Sequence, residues 1–96
     1  MYGTVARLHL LPGKEQELLN LFTAFEEKSP GYVSQYIYRL DSGGGEYMIS
    51  VVFPDKDAYD ANAKSPEMAV RYEQYRSLLS EDPEWHDGEV IYAYSA

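Results

Sequence analysis

Residues 46–53 carry two apolar rows: Tyr47, Ile49, Val51 and Phe53 form one, and Met48, Ser50 and Val52 the other. A strand with one face in water alternates apolar and polar residues, so this segment predicts a strand covered on both faces. Residues 2–11 (YGTVARLHLL) set β-branched and apolar side chains at alternate positions until Pro12-Gly13 stops them. From Lys14 to Lys28 the period changes, and Leu18, Leu21, Phe22 and Phe25 fall on one helical stripe. Glu15 and Glu17 in the first turn and Lys28 near the last suit the helix dipole, and Ser29-Pro30-Gly31 ends the helix. Residues 32–40 read as a second strand, joined to the third by the hairpin loop Asp41-Ser42-Gly43-Gly44-Gly45. Asp55 caps a short helix reaching Asn62. Ser65 before Pro66 marks a fresh helix start, with Met68, Ala69, Tyr72, Tyr75 and Leu79 on its stripe. Glu81-Asp82-Pro83 breaks that helix, and a final strand is expected over about residues 89–94, with Trp85 and His86 in the loop before it.

The order β-α-β-β-α-β predicts an α+β, ferredoxin-like fold: a four-stranded antiparallel sheet with its helices on one face. Right-handed crossovers make the first and third strands central and put the second and fourth at the edges. The opposite face then presents Val, Tyr and Ile from four strands, a patch beyond the few hundred Å² that soluble monomers tolerate. A second copy of the chain covers it most simply, so a homodimer paired through the sheet face is expected.

Composition narrows the function classes. The 96 residues form a single domain over 1–96, burying roughly 65% of the surface of the unfolded chain. Net charge is −8 and the eight basic residues are scattered singly, which argues against nucleic acid and against an anionic membrane as partners. Cysteine is absent, so disulfides, thiolate nucleophiles and sulfur-bound metals are excluded. With no signal-peptide pattern and no membrane-length apolar run, a cytoplasmic location is expected. The triple glycine reads as a turn rather than a phosphate cradle, because no helix and no Lys-Ser/Thr pair follows it.

The segments ARLHLLPGKEQELLNLF, PGYVSQYIYRLD, EYMISVVFPDKDAYDANAKSPE and WHDGEVIYAY resemble the antibiotic biosynthesis monooxygenase family of dimeric α+β barrels, over nearly the whole chain. The most specific pieces are the strand running into Pro12-Gly13-Lys14-Glu15, and the third strand leading to an aspartate-rich helix start and Ser65-Pro66-Glu67. The resemblance implies homodimers with facing sheets and a small pocket between sheet and helices in each subunit. It also implies that some members oxidise aromatic substrates with molecular oxygen, without metal or flavin, while others degrade haem. At the positions of the haem-degrading Asn-Trp-His set stand Ala6, Asn62 and Tyr72, so that activity is not carried over. The Asn-Trp-Tyr set of the quinone-forming branch is also incomplete, since the only tryptophan is Trp85.

Among candidate residues, Asn62 and Tyr72 offer hydrogen bonds to a developing oxyanion, provided that the break at Ser65-Pro66 folds the two helical pieces together. The plainer reading makes Tyr72 a core aromatic and Asn62 a helix cap. His86, flanked by Glu81, Asp82, Glu84, Asp87 and Glu89, is a candidate base; the plainer reading is a surface loop with Trp85 filling an apolar gap. Ala6, Tyr36, Tyr75 and Trp85 are the candidate substrate contacts, since tyrosines suit a planar aromatic ligand. Arg7 and His9 are expected in a polar interface network, with Gln35 or Arg39 joining them. The two histidines lie far apart and the acidic run matches no cation loop, so no metal site is expected. Two main readings follow: a cofactor-independent monooxygenase acting on a small aromatic or quinol-type molecule, or a non-catalytic ligand-binding or structural dimer. A third, an isomerase or decarboxylase driven by one acid–base residue, uses the same scaffold.

Overall fold

A computed structural model of the chain describes residues 1–28 and 31–96, without the side chains of 26–28, so the expected stop at Ser29-Pro30 lies outside the described residues. The elements are β1 (Tyr2–His9), α1 (Glu15–Lys28), β2 (Ser34–Arg39), β3 (Glu46–Phe53), α2 (Lys56–Ala63), α3 (Pro66–Arg76) and β4 (Glu84–Glu89). The sheet runs β2-β3-β1-β4 with every neighbouring pair antiparallel, so the ferredoxin-like arrangement holds, with β1 and β3 central.

Local chemistry sets the element ends. The Asp55 carboxylate accepts from the Ala58 N–H at 2.8 Å to start α2, and Ser65 Oγ accepts from the Met68 N–H at 3.2 Å to start α3, with Pro66 opening that helix. In the hairpin loop, Gly43, Gly44 and Gly45 all take positive φ. Gly45 has a second constraint: its carbonyl accepts from the Leu10 N–H at 2.7 Å, and a Cβ there would stand 2.6 Å from the Leu10 carbonyl oxygen.

Register converts the strands into two faces. Ile37, Ile49, Ala6 and Trp85 lie side by side across the sheet, as do Gln35, Val51, Thr4 and Asp87 in the next row of the same face. This face meets the helices. Ala6, Leu8, Ile49, Val51 and Phe53 are buried against Leu18, Phe22 and Phe25 of α1 and against Tyr75, Leu78 and Leu79 from α3 and the turn after it. Burying side chains of this size contributes about 1.5–3 kcal/mol each, so this layer dominates the stability. The other face carries the row Tyr36, Ser50, Val5 and His86. Val5, Tyr36 and Tyr38 are exposed there, while Arg7 and His9 meet Glu46 and Glu81 at 3.8 and 3.0 Å.

Two expectations require correction. The last strand is Glu84–Glu89, upstream of the 89–94 expected, and Trp85 and His86 lie on it rather than in a loop. The partner decides this: β1 pairs with residues 84–89, from Arg7 opposite Glu84 to Tyr2 opposite Glu89, and Val90 donates to the Met1 carbonyl at 2.9 Å. Ile91, Tyr92 and Tyr94 therefore stay exposed despite their strand propensity. Gln35 and Arg39 do not join Arg7 and His9, because alternation along β2 turns both toward the helices.

Arg39 instead clamps α1 to the sheet. Its guanidinium donates from both Nε and Nη2 to the Glu15 carboxylate, the latter at 2.8 Å, and the Tyr47 hydroxyl donates to Glu15 Oε1 at 2.7 Å. The Arg39 hydrogen bonds, then that from Tyr47, lower the Glu15 carboxyl from 4.5 to about 2. A lowered folded-state pKa stabilises the protein above the unfolded value, and that contribution disappears as pH falls through the folded one. Glu15→Gln should therefore melt at a lower temperature than the parent at pH 7, and the deficit should vanish between pH 4.5 and about 2. Thermal melts across that range check this, and a deficit independent of pH would refute the clamp.

Candidate active site

Between the helix-side face of the sheet and the α2–α3 elbow lies a cavity of 620 Å³. Its floor comes from the row Gln35, Val51, Thr4 and Asp87, with Ile49 and Trp85 alongside. Aromatic rings form the walls. At one end Tyr75 meets Tyr72, Phe22 and Trp85 at centroid distances of 5.4, 6.0 and 6.4 Å. At the other, Phe53 stands 5.0 Å from Tyr32 and 5.4 Å from Tyr59. A cavity of this size, mostly apolar with a few polar groups, suits a small planar molecule.

The elbow positions the polar groups. The Asn62 backbone carbonyl accepts from the Ser65 N–H at 3.2 Å and from Ser65 Oγ at 2.9 Å, which bends the chain from α2 into α3. This brings Asn62 and Tyr72 to the same cavity, as the sequence required of any joint role. Among the described residues, the Asn62 amide donates only to Met68 Sδ at 3.8 Å, a weak contact that a ligand oxygen readily replaces. On the floor, Thr4 Oγ1 donates to the His86 carbonyl at 3.3 Å and so ties β1 to β4 beside Asp87. Burial, then the Asp87 carboxylate, pushes the Tyr59 phenol up.

The other sequence candidates divide. Tyr75 and Trp85 line the cavity. Ala6 does not; it is fully buried in the core row beneath. Tyr36 lies on the far face, 59% exposed, and does not line this cavity. His86 also faces away: it sits opposite Val5 and its Nε2 lies 2.8 Å from Glu84 Oε1, outside the cavity. Strand alternation is the reason, since the residue beside an inward Trp85 must point outward. The sequence reading missed Thr4 and Asp87 as cavity residues, and placing the last strand five residues earlier brings the second of them in by the same alternation. It also missed Arg71, which is buried with its guanidinium 5.2 Å from the centre of the Phe25 ring. Among the described residues, no group of three or more His, Asp or Glu is arranged to share a cation.

Tyr75 carries a strain on this design. Its hydroxyl is the buried side-chain polar atom without a hydrogen-bond partner among the described residues, and burial, then nearby Tyr72, pushes its phenol up. An unpaired buried hydroxyl costs about 1–3 kcal/mol. Tyr75→Phe is accordingly expected to raise the melting temperature, by about 4–8 °C for each kcal/mol recovered. Calorimetric melts test this, and a clear loss of stability would show that the hydroxyl is satisfied in solution.

The geometry has relatives. The fold closely matches SnoaB, a cofactor-independent oxygenase from Streptomyces nogalater solved as an asparagine-to-alanine variant, with TM-score 0.79 and 20% identity over 96% of this chain and 94% of that one. It also matches Rv0793 from Mycobacterium tuberculosis, with TM-score 0.76 and 21% identity over 98% of each chain. A conserved protein from Methanosarcina mazei Go1 gives 0.77 and 18% over 91% of this chain and 89% of that one. No curated protein matches the sequence. At these identities the structures establish the fold alone. The sequence profile described as antibiotic biosynthesis monooxygenase, however, matches residues 1–80, and the chain belongs to that family.

Proposed function

We propose that the chain is a homodimeric, cofactor-independent oxygenase acting on a small aromatic or quinol-type molecule held between the sheet and the α2–α3 elbow. The observation that carries this reading is the aromatic-walled cavity with the Asn62 amide and the Tyr72 ring at one elbow. A phenol that loses its proton becomes an electron-rich anion able to pass an electron to molecular oxygen. For a hydroquinone, one oxygen atom enters the ring and the other leaves as water with two hydrogens of the substrate, giving a hydroxyquinone. Donors at Asn62 and Tyr72 would hold the phenolate oxygen as its charge develops.

Oxygen uptake with a hydroquinone panel tests this, together with ¹⁸O₂ incorporation into the product. Asn62→Ala and Tyr72→Phe should each lower kcat by about 100-fold, the usual effect of removing one oxyanion donor. A second reading, a non-catalytic ligand-binding dimer, draws on Ala6, whose buried methyl leaves β1 without a polar group at the haem branch's asparagine position. No uptake above the buffer rate with any hydroquinone would favour it.

The dimer has its own support. Val5, Tyr36 and Tyr38 are exposed on the sheet face away from the helices, with Met48 and Val52 between them partly covered. Tyr36→Glu combined with Tyr38→Glu should convert a dimer into a monomer in sedimentation at micromolar concentration. A monomeric parent would overturn the pairing.

A further inference from the structure

With His86 turned outward, the proposed reaction lacks its expected base, and the neighbouring residue on β4 supplies another. Asp87 pairs with Thr4, whose row forms the cavity floor, so its carboxylate belongs to the helix-side face. Among the described residues that line the cavity it is the one carboxylate. Tyr59 of α2 lines the same cavity with its phenol influenced by the Asp87 carboxylate, and Tyr59 is itself fixed by edge contacts with Tyr2 at 5.1 Å and Phe53 at 5.4 Å. A phenol donor occupies at most one of about four acceptor positions on a carboxylate, leaving others for a ligand. No cation is paired with Asp87 among the described residues.

We propose that Asp87 receives the phenolic hydroxyl of the ligand and acts as the base of the reaction, with Tyr59 as its positioning residue. This rests on the oxygenase reading for the chemistry that follows, but not for the binding itself. In the step, the substrate O–H bond breaks, its proton forms an O–H bond on the Asp87 carboxylate, and the electron pair stays on the substrate oxygen. The ligand class narrows accordingly: a flat aromatic with a free hydroxyl directed at β4, where an ether or an unsubstituted ring has nothing to donate. Tyr59 holds the carboxylate in one orientation while remaining protonated.

Calorimetric titration with 1-naphthol and with 1-methoxynaphthalene separates the possibilities. The parent should prefer 1-naphthol by about 10-fold or more, the scale of a hydrogen bond to a charged group. Asp87→Asn should cut that preference to about 2-fold or less, and Tyr59→Phe should reduce it to an intermediate value. In hydroquinone oxygenation, Asp87→Asn should lower kcat by about 100-fold with a smaller change in KM. Circular dichroism checks that both variants fold; Asp87 is exposed, so its substitution leaves the core untouched. Equal binding of the two probes by the parent, or a full preference kept by Asp87→Asn, would overturn the proposal. Binding of neither probe would overturn the cavity reading and this one with it. A preference for 1-naphthol that Asp87→Asn abolishes, without oxygen uptake from any hydroquinone, would support the binding role and sink the oxygenase reading alone.

Discussion

Strand β1 is hydrogen-bonded on both sides, to β3 and to β4, and a strand's side chains change face at every residue. Once β1 is in register with its neighbours, one binary choice therefore sorts the whole sheet. Ala6 goes inward, and with it Ile37, Ile49 and Trp85; Val5 goes outward, and with it Tyr36, Ser50 and His86. A slip of one residue would exchange the two sets and empty the core. The burial of Ala6, Leu8 and Ile49 against α1 and α3 is what opposes that slip, so the same contacts that stabilise the fold also decide which side chains face the cavity.

The elbow between α2 and α3 adds what the sheet lacks. A sheet face alone offers a floor, and α1 closes one side of it with Phe22 and Phe25. The capped break at Ser65-Pro66 brings a second set of walls over the floor, with Tyr59 from one helical piece and Tyr72 and Tyr75 from the other. Asn62 sits where the direction changes, so its backbone carbonyl is used by the turn and its amide is left for whatever enters. Fold and site are thus built from the same short stretch of chain.

Much of this was legible in the amino-acid order, and the failures share one origin. Two-residue and helical periods gave the central strands, the helices and their caps because each depends on neighbours close in sequence. The last strand was misplaced because Val90–Tyr94 has strand-forming residues, while the pairing is set by the register on β1, some eighty residues away in sequence. That single displacement carried Trp85 and His86 into an imagined loop and left Asp87 unnoticed. The position of Tyr36 was hidden in a similar way: its chemistry fits an aromatic site, yet register against Ser50 puts it on the face away from this cavity. Asn62, Tyr72 and Tyr75 do line the cavity, and their placement on the helices was legible because the helical stripe and the cap signals are local.

Trp85 is the single tryptophan of the chain and it forms part of the cavity wall, at the edge of the Tyr75 ring. Its intrinsic emission consequently reports from one place only. Quenching or a spectral shift registers occupancy of that wall rather than an average over the molecule, so the protein carries its own optical probe without any label.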